Sequence, residues 1–275
     1  MENNVSNKVS ANKEDWLKKF ARFGMFSKGV VYVLIGVLTA MAAFNLGGQT
    51  SGKQGAFQFV YSQPFGKILL GLIALGLLGY VAWRFIQAIK DPEDEGKGRR
   101  AAYATSGIFY VLIAISAITL IFSGSSGGSG GSGGSGSQQQ VLSGLLDQTW
   151  GQVLVGVFAV GFFAKAIWQF YRAFSGKFDD KLKNVNLRKE ARETIKKAGF
   201  VGYISRGIVI GIIGYLFLDA AISANPSEAG GTKEAFGLIQ NSTAGPIVLG
   251  VIALGLAAYG VFMFVKAKYR VMPSL

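Results

Sequence analysis

Six long apolar stretches dominate this sequence, and each is long enough to cross a membrane as one helix. A bilayer core of about 30 Å is spanned by about 20 helical residues. The predicted spans are 24–46, 64–88, 103–123, 149–173, 199–223 and 246–267. Half of the 275 residues are hydrophobic and only 16% are charged, against about a quarter in an ordinary soluble domain. The sequence therefore predicts an all-α membrane protein with six transmembrane helices.

Lysine and arginine residues are distributed unevenly between the connections. They are concentrated before span one, between spans two and three, around the connection of spans four and five, and after span six. The other three connections carry only Lys53, Lys67 and Lys233. The positive-inside rule therefore predicts that both termini and the basic connections lie in the cytoplasm. The same bias explains the net charge of +13, so nucleic acid is not expected as a partner.

Two polar segments are predicted at the cytoplasmic face. In the first, residues 1–23, the side chains of Trp16, Phe20 and Phe23 share one helical face. This pattern fits either a short helix lying in the membrane interface or an extension of span one. No small-residue cleavage site follows, so span one is interpreted as a retained signal-anchor. The second, residues 179–198, is a basic connector expected to be attracted by anionic lipid.

The six spans form three related pairs. Aligning the odd-numbered spans without gaps superimposes Ser27, Thr105 and Ser205, and the even-numbered spans align over their whole length. The odd-numbered segments are "FSKGVVYVLIG", "ATSGIFYVLIA" and "ISRGIVIGIIG". The even-numbered segments are "FGKILLGLIALGLLGYVAWRF", "WGQVLVGVFAVGFFAKAIWQF" and "AGPIVLGVIALGLAAYGVFMF". The repeating unit is therefore a two-helix hairpin.

The three hairpins are predicted at residues 24–92, 99–178 and 199–270. A unit with an even number of spans gives parallel repeats, which are related by an axis along the membrane normal. The predicted fold is one membrane domain of three parallel two-helix repeats around a pseudo-threefold axis normal to the membrane.

Three segments give this chain a resemblance to a known family. They are the Ser-Lys/Arg-Gly entry of spans one and five, the Tyr80–Arg84 end of span two, and the stretch Phe200–Ile213. Residues 20–270 resemble an uncharacterised bacterial membrane family, a domain of unknown function made of three tandem two-helix repeats. The resemblance implies a multi-pass protein of the bacterial inner membrane. It implies no activity and no functional residues.

Four cations are candidates for contact with an anion or a lipid head group: Lys28, Arg84, Lys165 and Arg206. Lys165 lies about 10 Å inside the end of span four, where a charge costs a few kcal/mol unless it is paired or snorkels. Lys28 and Arg206 are predicted in the first turns of their spans, and Arg84 near the end of span two. These cations either cluster inward around an anion or anchor the helices at the interface, with Lys165 snorkelling.

Two further sets of aligned positions are candidates. Ser27, Thr105 and Ser205 are expected to form a hydroxyl ring or to cap their helices. The second set lies on the even-numbered spans, one and two helical turns after a glycine that aligns in all three repeats. These positions share one helical face, which is expected to contact another helix and not lipid. Its members are Tyr80, Trp83, Trp168 and Tyr259, with Lys165 replacing the tyrosine of span four.

The chain contains no histidine and no cysteine. This excludes imidazole bases, thiol nucleophiles and most transition-metal sites. No catalytic residue, metal site or cofactor is predicted, and the protein is not expected to be an enzyme. The two functions considered are a structural, lipid-binding or partner-binding module, and a small channel or transporter for an anion or a neutral solute. The bilayer is the expected partner, with anionic lipid at the cytoplasmic face; the pattern specifies no protein partner.

The run "SGSSGGSGGSGGSGS", residues 123–137, has the composition of a flexible linker. It joins spans three and four at the outer face, so it does not separate two domains. The corresponding loops are also rich in glycine and small polar residues, which favours a native low-complexity loop. An engineered replacement has the same composition.

Overall fold

The computed structural model describes residues 2–46, 52–90, 97–123, 144, 146–178 and 189–269. The described part is helical and contains no strand. Its helices are α1 (Glu2–Ala43), α2 (Lys53–Tyr61), α3 (Gly66–Lys90), α4 (Lys97–Ser123), α5 (Thr149–Phe174), α6 (Lys189–Ser223), α7 (Thr232–Gln240) and α8 (Gly245–Tyr269).

Six of these helices are long and apolar enough to cross a membrane. The spans are Asp15–Ala43, Gly66–Lys90, Gly98–Phe122, Thr149–Phe174, Glu190–Ser223 and Gly245–Tyr269. The prediction of an all-α chain with six membrane helices is therefore confirmed. We call the end of the bundle that carries α2 and α7 the short-helix end, and the opposite end the basic end.

The first and fifth spans begin earlier than the sequence predicted. α1 is continuous from Glu2, so the lead-in extends span one and is not a separate interfacial helix. Ala21 is 1% exposed in this extension, and a Cβ on Gly79 would meet Phe20. Contact with α3 therefore continues the helix beyond the predicted boundary. Similarly, α6 includes residues 189–198 of the predicted connector; residues 179–188 lie outside the described residues.

The long helices pack in the order α4, α3, α1, α8, α6, α5. Hairpin 1 is α1 with α3, hairpin 2 is α4 with α5, and hairpin 3 is α6 with α8. The two helices of hairpin 1 pack on each other, as do those of hairpin 3. Within the described ranges, α4 and α5 do not pack closely on each other, although Arg99 of α4 lies 5.7 Å from the ring centre of Trp168 in α5.

Glycines allow the close approach inside hairpins 1 and 3. A Cβ on Gly24 would lie 2.8 Å from Tyr80 Cα, and one on Gly202 would lie 2.6 Å from Tyr259 Cα. The next turn repeats the pattern, since a Cβ on the glycine at 76 or 255 would overlap the hydroxyl of the facing serine. Hairpin 2 has Ala102 where the other hairpins have Gly24 and Gly202. Ala102 is exposed, and α4 does not pack closely on α5 within the described ranges.

Contacts between different hairpins use one pair of aligned positions three times. Each odd-numbered span brings a glycine against a phenylalanine of another hairpin. The pairs are Gly29 with Phe264, Gly107 with Phe85, and Gly207 with Phe170. The repeats therefore correspond in contacts as well as in sequence.

Two short helices, α2 and α7, lie between the spans of hairpins 1 and 3. They were not predicted, although the alignment of Phe57 with Phe236 marks their shared position. Both phenylalanines are buried. A Cβ on Gly52, just before α2, would lie 3.1 Å from Thr232, where α7 begins, so the two helix starts are adjacent. The Gly/Ser run follows α4, and its residues 124–137 lie outside the described residues.

Candidate functional site

A buried lysine stands at the middle of the bundle. Lys28 of α1 is 4% exposed, and its Nζ donates a hydrogen bond of 3.2 Å to the hydroxyl of Tyr80 in α3. The same Nζ lies 4.6 Å from the ring centre of Tyr80 and 4.8 Å from that of Tyr110 in α4. From Tyr80, α3 continues to Lys90, a rise of about 15 Å. Lys28 is therefore far from the ends of the helices that surround it.

Arg84 of α3 shares the same tyrosine. Its Nε and Nη2 donate to the Tyr80 hydroxyl at 2.8 and 2.5 Å. Its Nη1 donates to Gln87 Oε1 at 3.1 Å. The guanidinium carbon lies 4.9 Å from the ring centres of both Tyr80 and Tyr103. One neutral phenol oxygen therefore accepts hydrogen bonds from two cationic side chains.

Arg206 of α6 repeats this arrangement in hairpin 3. Its Nη1 donates to the hydroxyl of Tyr259 in α8 at 2.8 Å. Its guanidinium carbon lies 5.0 Å from the ring centre of Tyr259 and 5.3 Å from that of Tyr32 in α1. Lys28 aligns with Arg206 in the repeat, and Tyr80 aligns with Tyr259. Hairpins 1 and 3 thus carry the same pair of a cation and a tyrosine.

Hairpin 2 carries its cation on the second helix, at the position where the other hairpins have the tyrosine. The position of the cation is Ser106, and the position of the tyrosine is Lys165. Lys165 is half-buried in α5 and lies within electrostatic range of Arg206, Tyr80 and Arg84. Each hairpin therefore contributes one cation from this pair of positions. We call Lys28, Tyr80, Arg84, Lys165, Arg206 and Tyr259 the polar centre.

Three cations of the polar centre, Lys28, Arg84 and Arg206, are not paired with acidic side chains of the described residues. The hydrogen bonds of Lys28, Arg84 and Arg206 go to tyrosines and a glutamine. The strongest charge interactions of Lys28 are with Arg206, Arg84, Lys165 and Lys53, which are all basic. The tyrosines and the glutamine therefore accept hydrogen bonds from the cations but do not neutralise their positive charge.

Among the buried polar atoms that lack a hydrogen-bond partner within the described part of the chain, two belong to Arg206 and to the glutamine bonded to Arg84. They are Arg206 Nε and Gln87 Nε2. Gln87 is 1% exposed, and its other side-chain atom is already bonded to Arg84. An unpaired buried donor costs about 1–3 kcal/mol. Both atoms would be satisfied by an added acceptor.

Lys53 approaches the polar centre from the short-helix end. It is the first residue of α2 and is half-buried. Burial, followed by the charges of Arg206 and Lys165, lowers the pKa of Lys53 from 10.5 to about 7. A lysine that was predicted to lie in an outer loop is thus electrostatically connected with the cations in the bundle.

Several sequence expectations about these residues are corrected. Lys28 and Arg206 do not lie in first turns, because α1 begins at Glu2 and α6 at Lys189. For the same reason Ser27 and Ser205 cap neither helix; both are buried against glycines of the partner span. Thr105 lies in α4, but its side chain is outside the described residues.

The predicted inward stripe is uneven. Tyr80, Trp83 and Tyr259 are at most 3% exposed, whereas Trp168 is 43% exposed. The expectation that Trp168 points inward is therefore wrong. It fails because α5 does not pack on the other helix of its hairpin as α3 and α8 do.

Sequence reasoning missed several residues that contact the polar centre or interact with it electrostatically, among them Tyr103 beside Arg84. Tyr32 and Tyr110 align in the repeat, and this match was the available signal for two tyrosines near the cations. Gln87 and Lys53 carried no comparable signal, because their roles depend on partners far away in the sequence.

Three stretches of the chain match the family described as "Domain of Unknown Function (DUF1206)", at residues 23–91, 101–176 and 201–270. They cover most of the chain and coincide with the three hairpins. The chain belongs to the DUF1206 family. The predicted resemblance to a repeated membrane family of unknown function is thereby confirmed.

A relative of this DUF1206 chain is "Uncharacterized protein YxxB" of Bacillus subtilis (strain 168). The two are 32% identical over 270 residues, which cover 96% of this chain and 95% of the relative. No solved structure matches the chain. In the DUF1206 chain the polar centre draws on all three family repeats, with Lys28, Lys165 and Arg206 each in a different one.

Proposed function

We propose that this membrane protein binds an anionic group of the phosphate class in its polar centre. The observation that carries the proposal is the set of buried Lys28 and half-buried Arg84 and Arg206, which are bonded to tyrosines and not to a carboxylate in the described ranges. A charge inside a membrane domain costs a few kcal/mol unless it is paired. A bound anion would supply the missing negative charge.

The donor geometry favours an oxyanion over a simple halide. Guanidinium groups present several N–H donors in a plane, which suits the oxygens of a phosphate. Arg206 Nε and Gln87 Nε2 add two buried donors that need acceptors. Binding of a phosphate group involves no bond making or breaking, so the proposed role is that of a binding module and not of an enzyme.

The proposal includes an arrangement in the membrane. We place a pseudo-threefold axis along the membrane normal through the polar centre, with the basic end in the cytoplasm and the bundle in a bacterial inner membrane. The recurrent contacts of Gly29, Gly107 and Gly207 with phenylalanines support the axis. The distribution of lysine and arginine supports the orientation.

Inorganic phosphate is the probe for the binding function. The purified full chain should melt at a higher temperature as phosphate is added, because a ligand that binds only the folded state stabilises it. Arg206→Gln is expected to remove this shift. Lys197→Gln, at an exposed site on the same helix, is the matched control and should keep it. An equal shift in both variants would place phosphate outside the polar centre.

A small channel or transporter for an anion or a neutral solute is the second candidate. The position of Lys53 favours it, since this residue lies at the short-helix end within electrostatic range of Arg206 and Lys165. Flux of anions and neutral solutes into liposomes containing the protein tests this role. If the protein is a transporter, flux should be observed and should be lost in both Lys165→Ala and Arg84→Ala. If no solute crosses the membrane, the transporter role is wrong and the role of a binding module is favoured.

A further inference from the structure

Hairpin 2 differs from the other hairpins in a way that connects the polar centre with the lipid. In hairpins 1 and 3, Gly76 and Gly255 are buried against the facing serine. Gly161 occupies the same position of hairpin 2, yet it is exposed, and a Cβ there would meet none of the described side chains or backbone atoms within 4 Å. We call the space beside Gly161, between α4 and α5, the seam.

The exposure of α5 agrees with an open seam. In α5 only 22% of the most apolar stretch is buried inside the bundle, compared with 50% of that stretch in α3 and 56% in α8. Val157, Val160 and Trp168 are among its exposed apolar residues. At the basic end, Arg99 lies over the ring of Trp168. The seam is therefore bridged near this end and open beside Gly161.

The cation of hairpin 2 lies one helical turn from this opening. Lys165 follows Gly161 by one turn of α5, and it is within electrostatic range of Arg206 and Arg84. An apolar opening thus leads to a cluster of cations in which Arg84 and Arg206 donate to tyrosines and a glutamine, and in which Arg206 Nε has no acceptor within the described part of the chain. A phospholipid has both features in one molecule, since apolar chains carry a phosphate.

We propose that the seam admits an anionic phospholipid whose phosphate is bound by Lys165 and Arg206 while its acyl chains lie along α5. This inference rests on the proposed function and names the source of the anion as the membrane and not the solution. Charge complementarity selects an anionic lipid over a zwitterionic one, whose choline group would add another cation to the site.

The experiment uses the full chain in phosphatidylcholine vesicles that contain a little phosphatidic acid with a photoactivatable group on one acyl chain. Illumination should attach this lipid to peptides of α4 and α5. The same label on phosphatidylcholine should give about tenfold less product. Gly161→Trp, which fills the seam, should lower the yield about tenfold.

Gly156→Trp is the matched control. Gly156 lies on the same helix and also has open space around it, but its equivalents Gly71 and Gly250 face a different hairpin. The substitution should leave the labelling unchanged. Equal loss in both variants, or equal labelling by the two lipids, would overturn the inference of a specific seam site.

A parallel measurement with inorganic phosphate separates this inference from the binding function. If phosphate still stabilises the protein while no lipid is attached at the seam, the anion is soluble and only the lipid inference is wrong. If phosphate does not change the melting temperature and the two lipids label the protein equally, the proposed binding of a phosphate group is wrong as well. Crosslinks between two copies through α5 would instead identify the seam as a contact surface of the protein with itself.

Discussion

At the scale of single residues, tyrosine is the group that makes the polar centre compatible with a membrane. Its hydroxyl accepts a hydrogen bond while staying neutral, and its ring face attracts a cation. Arg206 uses both properties of Tyr259, with a 2.8 Å hydrogen bond and a ring contact at 5.0 Å. Carboxylates in these places would neutralise the cations and leave little attraction for an anion.

Tyr259→Phe tests how much the hydroxyl contributes. The ring and its contact with Arg206 remain, but the Nη1 donor loses its acceptor. The free energy of unfolding should fall by about 1–3 kcal/mol, the cost of an unpaired buried donor. Thermal unfolding in detergent measures the change. Tyr215→Phe at an exposed site removes the same hydroxyl group and should have little effect; equal melting temperatures for the two variants would contradict the role of Tyr259.

The lowered pKa of Lys53 predicts a pH dependence of stability. Burial, with the charges of Arg206 and Lys165, lowers this pKa to about 7, below the value of 10.5 for the unfolded chain. Between these two values the unfolded chain binds more protons, so the free energy of unfolding should rise with pH across that window. Unfolding in mixed micelles at several pH values measures the slope.

Lys53→Met should flatten the slope, because it removes the titrating group. Lys67→Met, at an exposed site on α3, is the control and should retain the slope. A wild-type protein whose stability falls from pH 7 to pH 10 would show that Lys53 does not lie in this positive environment.

At the scale of helices, the two hairpins whose helices pack on each other carry a glycine where hairpin 2 carries an alanine. Gly24 and Gly202 let α1 and α6 meet the backbone of the partner span, whereas Ala102 stands in the corresponding place on α4. A methyl group in a helix interface of this kind separates the backbones, and without close packing a membrane helix pair loses its main attraction.

Gly202→Ala and Gly161→Ala should therefore have opposite effects. At Gly202 the new Cβ would lie 2.6 Å from Tyr259 Cα, so the free energy of unfolding should fall by about 1–3 kcal/mol or more. At Gly161 the space is open, so alanine should raise stability by up to about 1 kcal/mol through helix propensity. Unfolding of both variants under one condition makes the comparison; destabilisation of the same size in both would contradict an open seam.

Much of the helical organisation was predictable from the sequence, because apolar length and repeats are local signals. The position of Lys28 and Arg206 deep inside their helices was not predictable, because a charged residue in a hydropathy pattern is taken to mark the end of a span. The deeper positions depend on tyrosines from other helices, which accept hydrogen bonds from the two side chains and place ring faces beside them. Ala102 was visible as a departure from the repeat, but its meaning required knowing what Gly24 and Gly202 contact.

At the scale of the whole molecule, the orientation in the membrane is a separate prediction. The chain contains no cysteine, so single cysteines give unambiguous labelling. Cysteines introduced for Gly96 and Gly128 should react with an impermeant reagent from opposite sides of the membrane, with Gly96 on the cytoplasmic side. Labelling from the same side would show that α4, the one helix between these positions, does not cross the membrane, and would contradict the six-span arrangement.

The exchange of roles in hairpin 2 allows a test of the pseudo-threefold axis. Hairpins 1 and 3 place the cation on the first helix and the tyrosine on the second, while hairpin 2 has Ser106 and Lys165. Around a common axis the two arrangements bring the charge to the same centre. Moving the cation from Lys165 to Ser106 should then preserve the charge of the site and its function.

Lys165→Tyr alone should weaken phosphate binding about fivefold or more, because one cation is lost. The double variant, Ser106→Lys with Lys165→Tyr, should restore binding to within about twofold of the original. The affinity is measured from the phosphate dependence of the melting temperature, with Lys196→Tyr as a control that removes a lysine outside the centre. A double variant that binds as weakly as Lys165→Tyr would mean that Ser106 does not face the polar centre. The three hairpins would then share a sequence pattern without sharing one axis.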